Sequence, residues 1–133
     1  MDTYKANVAR EAIQAGANWI NDVWGLRADP KMAAVAAEFQ VPVILMHNRL
    51  KPGSSEIEER LGGRYIGTEY DDLINDICNE LMESVSLAHQ RGIKDENIIL
   101  DPGIGFGKTV SQNLELLDRM EEIKSLGYPL LVG

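Results

Sequence analysis

Apolar positions follow two rhythms along this chain, and the rhythms alternate. From Thr3 to Ala15, Val8, Ala12 and Ala15 line one side of a helix, and Gly16 follows as its stop. Trp19 to Val23 is a short β-rich run. Asp29-Pro30 reads as a helix start, with Asp as N-cap and Pro at the first helical position, and that helix is expected to run to about Phe39. Val41 to Met46 is again apolar and β-rich. Thr68 is the expected cap of a long helix in which Tyr70, Leu73, Ile74, Ile77, Leu81, Val85 and Ala88 recur at helical intervals, ending at Arg91-Gly92. Asn97 to Leu100 reads as a strand and Ser111 to Leu126 as a helix stopped by Gly127, with a last strand at Leu130-Leu131-Val132.

Short apolar strands buried on both faces and separated by amphipathic helices predict parallel βα units, an α/β fold in a single unit spanning residues 1–133. Polar and glycine residues gather just after the strands, at Asn21-Asp22, His47-Asn48, Asp101-Pro102-Gly103 and Gly133. In parallel α/β folds the loops at the carboxyl ends of the strands can vary without disturbing the core, so chemistry is expected there. The connection from Asn48 to Gly67, with Gly53, Gly62, Gly63 and Gly67 and no clear period, is expected to be a mobile loop at the rim of that site.

Charge narrows the partners. Thirteen basic against 21 acidic residues give a net charge of −8, which argues against nucleic acid or an anionic membrane as partner. Nine acids and two arginines fall between Glu56 and Glu83, and helical spacing assigns these acids to a solvated loop and an outer helix face. The single cysteine, Cys78, excludes an internal disulfide and a Cys-rich zinc site. The sequence shows no leader-like start and no apolar run near the roughly 18 residues of a membrane span, so a cytoplasmic location is expected.

The stretch from Asp101 to Thr109, DPGIGFGKT, is the most informative. It follows a strand and precedes a helix, as a phosphate loop does, yet a Walker A signature needs glycine at position 102, which is Pro, and the alternating Gly103, Gly105 and Gly107 miss the GxGxxG spacing. These glycines are expected to let backbone pass close to a flat ligand, with Phe106 supplying an aromatic contact. Asp101 ends a buried strand, either capping the glycine amides or gripping the N–H edge of a heterocycle. Asn21 offers donor and acceptor together, which suits a ring edge, and Asp22 reads as a loop cap. Asp2 is expected to cap the first helix, His47 reads equally as a structural donor or a catalyst, and His89 belongs on the surface. No spacing marks a zinc site, and no serine is paired with a base.

Four segments in order, Asp2-Thr-Tyr-Lys-Ala-Asn-Val-Ala, Ile20-Asn-Asp-Val-Trp-Gly-Leu, Val43-Ile-Leu-Met-His and Ile98-Ile-Leu-Asp-Pro-Gly-Ile-Gly-Phe-Gly-Lys, resemble the middle of the dihydropteroate synthase family of pterin-binding proteins, and Tyr128-Pro-Leu-Leu-Val-Gly133 resembles its next strand. The resemblance implies a (β/α)8 TIM barrel, of which this length holds about four βα units. It implies condensation of 6-hydroxymethyl-7,8-dihydropterin diphosphate with p-aminobenzoate to give 7,8-dihydropteroate and diphosphate in folate biosynthesis. It assigns Asp2, Asn21 and Asp101 to catalysis and pterin binding, Met46 to the pocket lining, Gly105 and Phe106 to the junction of pterin and p-aminobenzoate, and Gly133 to the pterin ring. It also implies Mg2+, held by a residue of a segment absent here, a cytoplasmic homodimer, and a target for sulfonamides. Two alternatives stand beside it: a non-catalytic pterin-binding fragment, and a methyltetrahydrofolate:corrinoid methyltransferase-type barrel, against which the GFGK loop speaks. The 133-residue chain by itself is expected to lack synthase activity and to self-associate through open sheet edges.

Overall fold

In a computed structural model of the chain, residues 1–49 and 69–133 are described. The elements alternate as expected: α1 (Ala6–Gln14), β1 (Ile20–Asp22), α2 (Met32–Phe39), β2 (Val43–Met46), α3 (Leu73–Gln90), β3 (Ile98–Asp101), α4 (Val110–Asp118) and α5 (Met120–Lys124). The strands form a parallel sheet in the order β1-β2-β3. Each strand-to-strand step carries helix, which is what parallel neighbours require.

Register sets the two faces of this sheet. Ile20, Val43 and Ile98 pair across it, as do Asp22, Leu45 and Leu100. All six are buried, and the five apolar ones pack into the core with Ile74, Ile77, Leu81 and Val85 of α3. The alternate positions Asn21, Ile44, Met46, Ile99 and Asp101 project from the opposite face. α3 packs along β2 by the apolar stripe read from the sequence, Leu73, Ile74, Ile77, Leu81, Val85 and Ala88, all buried. Truncating one of its large members to Ala removes about 2–5 kcal/mol.

Helix ends depart from expectation in instructive ways. Asp2 does not cap α1: it pairs with Asn21 in a parallel bridge, and α1 starts after Lys5, which makes no side-chain cap bond. The cap comes from across the fold. Asp29 Oδ2 accepts from the Ala6 amide at 2.9 Å, while its Oδ1 accepts from Lys31 N at 2.9 Å, so one carboxylate serves two helix starts and is held below its usual pKa by these amide bonds. Residues 30 and 31 form a turn before α2 proper begins at Met32. Asp72, rather than Thr68, caps α3 by accepting from Asn75 N; Thr68 and residues 50–67 of the connection before it lie outside the described residues, Glu56, Glu58 and Glu59 among them. The helix expected over Ser111–Leu126 is two, α4 and α5, jointed at Arg119, whose guanidinium binds Glu115 and Glu122 across the joint. Thr109 and Gln112 close a capping box at the start of α4. The last expected strand is reduced to one bridge, Leu100 with Leu130, because Pro129 has no N–H to extend the ladder.

Candidate functional site at the carboxyl ends of the strands

Asn21, Met46 and Asp101 bring their side chains to one face near the carboxyl ends of the three strands. The bridge to Asn21 fixes Asp2 beside them. Asp101 is 8% exposed, and burial raises its pKa against the lowering effects of the Gly103 amide and the Lys108 charge. Its Oδ1 accepts from Gly103 N at 2.7 Å, so the loop-cap role holds for one oxygen. Asn21 Oδ1 is buried and has no hydrogen-bond partner among the described residues. A buried amide oxygen left unpaired costs about 1–3 kcal/mol. Asp22 lies on the other face, where Oδ1 and Oδ2 accept from the Trp24 and Leu26 amides, the loop cap expected of it.

Residues 102–109 wrap over the end of β3. Gly103, Gly105 and Gly107 all have positive φ. Gly103 departs from expectation: a Cβ there would stand 2.0 Å from the carbonyl oxygen of His47, so its close approach is to the chain's own backbone rather than to a ligand. At Gly105 a Cβ would meet nothing, and this exposed glycine with half-buried Phe106 forms the open edge of the loop. Gly133 is exposed at the end of the chain, and His89 sits on the surface with Asp95.

Beneath the loop runs a polar chain that sequence reasoning missed. Lys108 is buried and donates to His47 Nδ1 at 3.1 Å and to the carbonyls of Gly103 at 2.8 Å and Phe106 at 3.1 Å. His47 Nδ1 therefore accepts, and its Nε2–H donates to Glu80 at 3.0 Å. Burial lowers the pKa of His47, assisted by the neighbouring Lys108 charge, so this contact is a hydrogen bond from neutral imidazole rather than an ion pair. Arg49 donates to Glu80 at 2.7 Å and Asp76 at 2.8 Å and lies over the Tyr70 ring at 4.1 Å. Tyr70 in turn donates to the Gly107 carbonyl at 3.3 Å. Asp76 and Glu80 are thus half-buried and paired, unlike Asp71, Asp72 and Glu83, which are exposed as expected of the acidic run. The available signal was the one-turn spacing of Asp76 and Glu80 beside the buried stripe, together with a histidine directly after a fully buried strand.

The whole length, residues 1–133, matches the family model described as pterin binding enzyme. The chain belongs to this family. It is 53% identical over 133 residues to a dihydropteroate synthase of Clostridium beijerinckii, covering 100% of this chain and 44% of that protein. Against the dihydropteroate synthase of Bacillus subtilis the identity is 50%, again over the whole of this chain and over 41% of the relative. The crystal structure of the Clostridium difficile enzyme, obtained in the presence of pteroic acid, superposes with a TM-score of 0.85 at 44% identity, over 99% of this chain and 44% of that one. The chain thus spans less than half the length of the relatives it matches, and its parallel strands and helices are a segment of their TIM-barrel architecture.

Among the described residues, no three His, Cys, Asp or Glu side chains converge as a group that could hold a metal ion. No helix among them is long and apolar enough to cross a membrane.

Proposed function

We propose that the polypeptide carrying these residues is a dihydropteroate synthase. It joins 6-hydroxymethyl-7,8-dihydropterin diphosphate to p-aminobenzoate, giving 7,8-dihydropteroate and diphosphate. The carrying observation is the unpaired, buried Asn21 Oδ1 on the same sheet face as the Asp101 carboxylate. Two acceptors at the ends of rigid strands suit the donor edge of an aminopyrimidine ring.

In this reading Asp101 and Asn21 hold the pterin, Asp2 adds negative potential beside them, and Met46 lines the floor. The C–O bond between the pterin methylene and diphosphate breaks, with the electron pair leaving on diphosphate. Positive charge then develops on the methylene and ring, and the carboxylate held near it lowers the barrier electrostatically. The arylamine nitrogen forms the new C–N bond and loses its proton. Gly105 and Phe106 take the incoming amine, and Gly133 lies against the pterin. The reading extends to a homodimer in the cytoplasm and to inhibition by sulfonamides as p-aminobenzoate mimics. A Mg2+ requirement belongs with the diphosphate, outside the described residues.

The test is direct. The full-length polypeptide containing residues 1–133 is incubated with both substrates, and the product is resolved by chromatography. Stoichiometric dihydropteroate and diphosphate are expected; pterin binding without condensation would sink the synthase reading and leave the non-catalytic and methyltransferase-type readings.

A further inference from the structure

Lys108 is the only lysine buried among the described residues, at 4% exposure. An ammonium has three N–H donors, and all three have acceptors here: His47 Nδ1, the Gly103 carbonyl and the Phe106 carbonyl. No donor is left for a substrate, so the group acts on the protein. Two of its contacts bracket the loop after β3, and the third lies just past the end of β2. His47 can accept only because its Nε2 carries the proton, and Glu80 holds it in that tautomer. Glu80 is held by Arg49, and Arg49 stacks on Tyr70, whose hydroxyl returns to the loop at Gly107. The chain of contacts closes on the loop from which it began.

We propose that Lys108 is a positioning residue of the pterin site, fixing the path of residues 103–107 so that the Gly103 amide orients the Asp101 carboxylate and Phe106 is presented to the substrates. The inference rests on the synthase reading for the identity of the substrate. Electrostatics favour it: burial draws the Lys108 pKa down to about 8, while the charges of Asp101 and Glu80 hold it up, so the carboxylate that Lys108 places also keeps it protonated at neutral pH. A lysine serving stability alone would leave substrate affinity unchanged once the protein is folded.

The experiment uses the full-length polypeptide with Lys108→Met, Lys108→Arg and, as a control on an exposed helix, Lys124→Met. Folding is checked by circular dichroism, pterin affinity by fluorescence titration, and kcat and KM are measured separately for each substrate. In folded Lys108→Met, pterin affinity is expected to fall and KM for the pterin diphosphate to rise by roughly tenfold or more, the scale of a misplaced contact group. Lys108→Arg keeps the charge but spreads its donors over a planar fork, and a smaller loss is expected. If Lys108→Met does not fold, Lys108→Arg carries the test. Affinity and KM within about twofold of wild type in folded Lys108→Met, or in Lys108→Arg where Lys108→Met does not fold, would overturn the proposal. A wild-type protein that binds pterin but makes no dihydropteroate, with affinity still lost in the variants, would sink the synthase reading and leave the positioning role standing.

Discussion

Asn21 at β1 and Asp101 at the end of β3 project from the same face of the sheet, two strands apart, with Met46 on β2 between them. Their states differ. One Asp101 oxygen is held by the Gly103 amide, whereas Asn21 Oδ1 has no partner among the described residues. In the proposed reading these two acceptors, carried on rigid strands, face the donor edge of the pterin.

Replacing Asn21 with Leu separates binding from stability. The substitution removes the unpaired buried oxygen, so the folded state is expected to be unchanged or more stable by about 1 kcal/mol. Pterin affinity, followed by fluorescence titration, is expected to fall roughly tenfold or more as an acceptor is lost. A stable variant with wild-type affinity would remove Asn21 from the site.

Asp101→Asn tests charge at constant shape. The new amide can still accept from Gly103 N through its oxygen, but it turns an NH2 donor toward the donor edge of the pterin. Stability is expected to change by no more than about 1 kcal/mol, and kcat/KM to fall roughly 10- to 100-fold, the range for a hydrogen bond to a charged group. Unchanged turnover and pterin affinity in the full-length protein would show the assignment to be wrong.

Much of this arrangement was legible because it depends on local rules. The alternation of strand and helix followed from the apolar rhythms, the placing of Asn21 and Asp101 from their positions at strand ends, and that of Met46 from the family resemblance alone; parallel pairing with period two brings the three to one face. What stayed hidden depends on partners distant in sequence. Asp29 caps α1 across 23 positions, and the proximity of Ala6 to it is set by the packing of α1 on α2. Lys108 meets His47 across 61 positions, and Glu80 meets His47 across 33, so neither pairing has a sequence signature. Helical spacing put the acidic run on a solvated face, but Asp76 and Glu80 flank the buried stripe, where Arg49 and His47, distant in sequence, pair with them. Gly103 was assigned to a ligand because a glycine reports that something is close, without saying what.

Gly103 and Gly105, both at positive φ, give a matched pair. At Gly103 an alanine methyl would collide with the His47 carbonyl oxygen, and Gly103→Ala is expected to destabilise the protein by about 3 kcal/mol or more. Gly105 has open space around it, so Gly105→Ala bears only the backbone cost of about 1–2 kcal/mol. With Gly105 at the proposed p-aminobenzoate contact, an increase in KM for p-aminobenzoate is expected. Urea denaturation of the two variants, with steady-state kinetics on the second, checks the contrast; equal stability losses would contradict the packing at Gly103.

Acid sensitivity follows from Glu80. Burial disfavours its charge, but hydrogen bonds from His47 and Arg49 outweigh that and bring its pKa from 4.5 to about 2. The folded pKa lies below the unfolded one, so the unfolded state binds protons first as pH falls. The stabilisation is complete above about pH 4.5 and is lost as pH drops toward 2. Each pK unit is worth about 1.4 kcal/mol, and allowing for the carboxylate's partial exposure, the contribution at neutral pH is on the order of 2 kcal/mol. Glu80→Gln keeps an acceptor for His47 but removes the charge facing Arg49. The variant is therefore expected to be less stable than wild type at pH 7, with the gap closing between pH 4.5 and 2 in urea midpoints measured across that range. A gap that stays constant with pH would show that the Glu80 charge contributes nothing to stability.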